Sequence, residues 1–184
     1  MRLRHACILT ILVGILSGCA DDVEDLFSKD PAFCRITPVT AVQPLREALT
    51  SPGLFCTITF EPTQYIFTRA DGTFAPLKRT DEEAYGHPVY RAGFIVGTPS
   101  LPDGQTSQFY YVCYELACPS CYTYNMQVKP MKLLSGEKVS CAACGRTYSL
   151  LYDGSLTDGP DGIKHLKRYH CSYTQAQDLF VIQN

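Results

Sequence analysis

Four of the ten cysteines in this 184-residue chain stand in two Cys-x-x-Cys pairs, Cys118-Pro119-Ser120-Cys121 and Cys141-Ala142-Ala143-Cys144. No other feature restricts the possible folds as much. Two residues between thiols let a tight turn aim both sulfurs at one point, and Gly145 directly after the second pair supplies the backbone freedom that such a knuckle needs. The nineteen residues between the pairs are enough for a hairpin that brings the knuckles together. The spacing therefore points to a four-thiolate metal site on Cys118, Cys121, Cys141 and Cys144. Two other readings stay open. In an oxidising compartment the same thiols can close structural disulfides. Either pair alone also suits a redox dithiol, although the Tyr- and Thr-rich stretch after Cys121 reads as strand rather than as the helix that such a motif opens.

The first residues bear on the compartment. Arg2 and Arg4 precede an apolar run, Ala6 to Leu16, which has signal-peptide length and is short for a bilayer span. Leu16-Ser17-Gly18-Cys19 follows and resembles the bacterial lipobox, in which the cysteine is diacylated and the chain is cleaved just before it. The resemblance implies a signal peptide over residues 1–18 and a lipidated Cys19. The protein would then sit at the cell envelope, with the membrane as its partner through buried acyl chains rather than a spanning helix. The acidic cluster Asp21 to Asp25 reads either as a surface-export signal or as a solvated tether, so the membrane face is left open.

Loss of residues 1–18 removes two positive charges and no negative ones, taking the formal net charge from −2 to −4. That balance argues against a nucleic-acid partner. What remains suits one domain with a real core, in which many Tyr and Phe stand in for the absent Trp. No Ser-His-Asp order, phosphate loop or interpretable carboxylate pair suggests hydrolytic chemistry, so the chain leans away from being an enzyme.

Residues 19–40 read as the lipidated end and its tether, and 41–184 as the domain. A short helix is predicted over Pro44–Leu49, where Pro suits the first turn and Leu45, Ala48 and Leu49 share a face. Strands are predicted over Leu54–Phe60 and Gln64–Arg69, with Asp71-Gly72 as the next turn. Residues 73–90 read as a long loop. Further strands are expected over Gly93–Gly97, Gln108–Cys113, Thr123–Val128, Met131–Leu134, Thr147–Tyr152, Leu166–Tyr173 and Leu179–Ile182. Many short strands between turn signals indicate a mainly β fold, an antiparallel sandwich or barrel.

The run Cys141-Ala142-Ala143-Cys144-Gly145-Arg146-Thr147-Tyr148-Ser149-Leu150, then Asp153-Gly154, Gly159-Pro160 and Leu166-Lys167-Arg168-Tyr169, resembles the second half of a Rieske domain. That family has Cys-x-x-His-Gly, an aromatic strand, a Gly turn, a Gly-Pro loop and Leu-x-x-Tyr in this order. The likeness covers roughly residues 52–184. It implies a Rieske-like antiparallel β sandwich with a small metal-binding lobe, about 114–162, of rubredoxin or zinc-ribbon type. Cys118 and Cys141 fall where the family's cysteines bind one iron, Cys144 at its second histidine and Cys121 near its first. Tyr148 matches a tyrosine that donates a hydrogen bond toward the cluster, and Gly159-Pro160 a loop that shields it.

Both family histidines are cysteine here, and the first motif is Cys-x-x-Cys where the family has Cys-x-His. Four equivalent thiolates at knuckle spacing suit one tetrahedral zinc ion, while an all-cysteine [2Fe-2S] cluster is the alternative. Arg2-Leu3-Arg4 is not a twin-arginine pair, so the chain is expected to cross the membrane unfolded and to acquire its metal outside, which favours zinc. His87, His165 and His170 lie far from ligand spacing. The expectation is a non-catalytic binding module with structural zinc, against an electron-transfer protein. Cys34, Cys56, Cys113 and Cys171 remain, as possible disulfides of unknown pairing or as buried thiols.

Overall fold

The computed structural model describes residues 26–79 and 86–184. The signal peptide, Cys19 and the acidic cluster lie outside the described residues.

The described chain is mainly β. Eight strands form one antiparallel sheet: β1 (Phe33–Ile36), β2 (Leu54–Phe60), β3 (Gln64–Arg69), β4 (Phe74–Lys78), β5 (Phe94–Thr98), β6 (Val112–Glu115), β11 (Arg168–Thr174) and β12 (Leu179–Gln183). Their order across the sheet is β1-β12-β11-β6-β5-β2-β3-β4. Four shorter strands, β7 (Lys132–Leu134), β8 (Lys138–Ser140), β9 (Thr147–Ser149) and β10 (Ser155–Asp158), form a second sheet in the order β10-β9-β8-β7. This lobe is an excursion between β6 and β11, which are themselves paired, Tyr169 opposite Cys113. The Glu115 N–H donates to the Lys167 carbonyl at 2.9 Å and closes the neck through which the chain leaves and returns.

Strands β2, β5 and β6 are covered on both faces, which is why they read as near-continuous apolar runs. Alternate residues feed two cores. Cys56, Ile58, Phe94, Val96 and Cys113 meet Ile36, Phe67, Phe180 and Ile182 from the two ends of the sheet, so one core lies inside its curl. Phe55, Ile95, Val112 and Tyr114 point the other way and pack on Leu133, Val139 and Tyr148 of the small sheet and on Leu150 just after β9.

The helix Gln43–Thr50 closes the first core with Pro44, Leu45, Ala48 and Leu49. Pro in its first turn and a turn at Ser51 that ends it bound an apolar face of spacing three and four. The Thr98 hydroxyl donates to its Ala48 carbonyl at 3.0 Å.

Several expectations need correction, among them the strand over Gln108–Cys113, which starts only at Val112 and runs on to Glu115. The tether does not run to residue 40: β1 pairs with β12, and Phe27 already bridges Arg168. Four residues of strand between Pro31 and Pro38 are too short a pattern to stand out. Residues 73–90 are not all loop, because β4 pairs with β3 along Phe74–Lys78. Pro76 hides this strand in the sequence, yet β4 is an edge strand, where Pro is tolerated; residues 80–85 lie outside the described residues. The segment Thr123–Val128 is not a strand. A helix spans Pro119–Asn125, started by Pro119 and ended by Met126 in the left-handed region, φ 54°. Local aromatic and Thr content favours strand only weakly and yields to the geometry of the knuckle. Strands β8 and β10, three and four residues long, were not expected at all.

Candidate metal centre

The first knuckle rises from the end of β6. Its base is closed where the Cys118 N–H donates to the Lys129 carbonyl at 2.8 Å and the Met131 N–H to the Leu116 carbonyl at 2.9 Å. Cys118 caps the helix Pro119–Asn125, and one helical turn carries Cys121 back to the same side with Ser120 buried beside it. The second knuckle follows β8. Gly145 N–H donates to Cys141 carbonyl and Cys141 N–H to Arg146 carbonyl, both at 2.9 Å, and the chain returns as β9. Gly145 sits at φ +72°, the conformation expected for it.

The hairpin of β7 and β8 sets the two knuckles face to face, and the four sulfurs lie within 4.8 Å of one another. Cys118 Sγ is 3.6 Å from Cys144 Sγ, and Cys121 Sγ is 3.7 Å from Cys141 Sγ. A tetrahedral ion with metal–sulfur bonds of about 2.3 Å spaces its ligands about 3.8 Å apart. The close pairs match that edge and are far from a disulfide bond of about 2.04 Å. The close partners run between knuckles, so the centre ties two separate loops together. Among the described residues no histidine joins the group: His165 Nδ1 faces the Ser155 hydroxyl at 3.5 Å, and His170 stacks on Phe27.

The thiols differ in electrostatics. Burial pushes Cys118 well up, and Cys121 up to about 11. Burial also opposes ionisation of Cys144, but the backbone N–H and guanidinium of Arg146 and the thiols of Cys118 and Cys141 outweigh it and hold Cys144 down at about 6. A thiolate at this position is therefore favoured before any metal arrives, and Arg146 is held charged by it.

Around the sulfurs lies a set of contacts that spacing alone could not reveal. Tyr148 is fully buried, its hydroxyl 3.2 Å from the Ser120 hydroxyl and donating to the Ile163 carbonyl at 3.3 Å. The Ile163 N–H donates to Ser120 Oγ at 3.0 Å. Arg146 Nε donates to the Pro160 carbonyl at 3.1 Å, and its Nη2 to the Asp161 carbonyl. Gly159, at φ +100°, rests on the second knuckle so closely that a Cβ would meet the Gly145 carbonyl oxygen at 2.6 Å. The Gly159-Pro160 loop thus rests against the second knuckle. Tyr148 is placed beside the centre, but its hydroxyl is engaged by Ser120 and Ile163. Ser120, Arg146 and Ile163 escaped the sequence reading; only the position of Ser120 inside the motif hinted at its role.

The remaining cysteines sit elsewhere. All eight described cysteines are free thiols, and Cys34, Cys56, Cys113 and Cys171 belong to the core inside the curl. Register keeps neighbouring pairs apart. Ile182 lies between Cys34 and Cys171, and Val96 between Cys56 and Cys113. Two strand spacings of about 4.8 Å exceed what a disulfide bridges. Cys171 is offset by two residues from Tyr169, the partner of Cys113. Burial pushes the Cys34 and Cys171 thiols up to about 12, so they behave as apolar packing groups.

A groove of about 690 Å³ runs between the β3–β4 turn and β7, lined in part by Arg69, Asp71, Lys132 and Glu137, and holds none of the four clustered cysteines. No helix among the described residues is long and apolar enough to cross a membrane. Compared with known proteins, the chain matches no family model and no curated protein.

Proposed function

We propose that the chain is an exported lipoprotein, anchored at the cell envelope through an acylated Cys19, whose Rieske-like domain carries one structural zinc ion in a non-catalytic binding module. The observation that carries the zinc reading is the sulfur geometry: four thiols within 4.8 Å, with the two close pairs at the edge length of a single tetrahedron. Four thiolates fill that coordination shell and leave no position for water or substrate. The ion then acts as a clamp on two loops. Its contribution to folding is on the order of 10 kcal/mol, enough to decide whether so small a lobe is folded. The anchor is supported by the charged start, apolar run and Leu16-Ser17-Gly18-Cys19, and the Rieske likeness by the order of motifs from Cys141 to Tyr169.

A [2Fe-2S] electron-transfer protein is the second reading. The Tyr148 and Ser120 hydroxyls, hydrogen-bonded to each other next to the first knuckle, favour it, since polar groups around a cluster tune its potential. The spacing of the sulfurs weighs against it, because a second iron and two bridging sulfides push the thiolate pairs farther apart than one ion does.

Elemental analysis with a visible spectrum, on protein purified from the periplasm without added metal, separates the two. One zinc per chain and no colour is the expected result. Two irons with thiolate-to-iron absorbance make the protein a redox carrier, and a potential below that of histidine-ligated centres would follow from the extra negative charge. Absence of any metal with blocked thiols rejects both.

A further inference from the structure

We infer that the centre is also a site of reversible oxidation by hydroperoxides, with Cys144 as the attacking thiolate and Cys118 as the resolving one, so that oxidation joins the two knuckles and releases the metal. The inference rests on the zinc reading above and adds a covalent chemistry to the same four residues.

Access singles out Cys144. It is partly exposed, whereas Cys118, Cys121 and Cys141 have relative exposures of 0%, 5% and 1%. Oxidation of a thiolate requires the oxidant to reach sulfur along a direct line, so susceptibility follows exposure. The Gly159-Pro160 loop, held by Arg146, rests on the second knuckle and leaves Cys144 partly exposed.

Geometry then selects the resolving partner. The Cys118 sulfur stands 3.6 Å from Cys144, and a bond between them needs an approach of about 1.6 Å. Both residues sit in the turns of the two facing knuckles, so a small shift of one turn toward the other closes that distance once two ligands are lost.

The chemistry balances without a further reactant. The Cys144 thiolate attacks one oxygen of hydrogen peroxide; the S–O bond forms, the O–O bond breaks and hydroxide leaves. The Cys118 thiolate attacks the resulting sulfenic sulfur; the S–S bond forms, the S–O bond breaks and a second hydroxide leaves. Two thiolates have lost two electrons, the peroxide has gained them, and the metal has lost two of its four ligands. A dithiol reductant reverses the bond by exchange and allows the metal to rebind.

The core thiols serve as an internal control. Cys34, Cys56 and Cys113 are fully buried and are shielded from the same oxidant, while Cys171 is partly exposed on β11 and is the competitor that must fail to account for the response.

The test uses the full chain purified with its metal. Hydrogen peroxide is added stepwise, released zinc is read with a chromogenic chelator, and the products are digested without reduction for mass-spectrometric mapping. One zinc lost for every two thiols, with Cys118 linked to Cys144 and with full recovery after dithiothreitol and zinc, is the expected result; Cys171→Ser leaves it unchanged. A bond within one knuckle, a bond to Cys171, or irreversible sulfinic acid without a bond overturns the inference. A chain that purifies with iron or without metal ends the zinc reading, and the linkage found in the same digest still decides the pairing: Cys118 to Cys144 upholds it and any other bond rejects it.

Discussion

The two sheets of this protein are stabilised by different physics. The large sheet has strands of up to seven residues, and three of its central strands are buried on both faces. The small sheet has strands of three and four residues, packs one face on its larger neighbour, and ends in two loops that carry polar and exposed residues. Strands this short bury too little to hold a unique structure unaided. Its Leu133, Val139, Tyr148 and Leu150 secure the base, and Cys118, Cys121 and Cys141 are buried in the same apolar cluster, with Cys144 packed against it. Cysteines on the large sheet sit in mid-strand as small apolar groups; those of the lobe sit in the knuckle turns, placed so that they could hold a metal ion. Position within the fold, rather than residue type, separates the two uses.

The sharpest way to break this contrast is Cys141→Ser. Loss of one ligand should abolish zinc retention and remove stabilisation on the order of 10 kcal/mol from the lobe alone. Hydrogen exchange should then collapse for residues of β7 to β10 and persist for β2 and β5; collapse of both sheets together would show that the two are one cooperative unit. Phe94→Ala strikes the other region. It empties a fully buried site in the curl, at a cost of about 3–5 kcal/mol in denaturant unfolding, while zinc content stays at one per chain.

Smaller effects sharpen the picture of the lobe. Gly159→Ala places a methyl against the Gly145 carbonyl in a backbone region that L residues avoid, so about 1–3 kcal/mol of destabilisation is expected. Faster zinc transfer to a chelator should accompany it, because the loop on the second knuckle is displaced. Tyr148→Phe removes one hydroxyl shared by Ser120 and Ile163 and should cost about 1 kcal/mol, with zinc content unchanged. If the metal were a [2Fe-2S] cluster, the same variant would also shift its potential, which separates the two readings by voltammetry.

Much of the metal centre was legible in the sequence. Cys-x-x-Cys spacing is a local property: the two sulfurs of a pair are brought together by three peptide bonds, whatever the rest of the chain does. Gly145 was legible for the same reason. The helix Gln43–Thr50 and the strands β2, β3 and β5 were legible because their periodicity spans enough residues to exceed chance. Strands β1, β4, β8 and β10 were not, since three to five residues carry little pattern and β4 also contains Pro76. The helix after Cys118 was hidden by residues whose weak strand preference the knuckle overrides.

By itself, the sequence determined the four clustered cysteines, the glycine that turns the second knuckle, the mainly β class and the residues of the long central strands. The tertiary structure decided which sulfurs meet, because Cys118 lies beside Cys144 only after the β7–β8 hairpin has folded back. It also decided that the β6 and β11 stems close under the lobe, that Arg146 and Ser120 tie down the loop on the second knuckle, and that the four remaining cysteines lie in mid-strand in one apolar core. Bond geometry acts over a few residues and is written locally; contact between distant segments is set by how two sheets share one core, and no short stretch of chain encodes it.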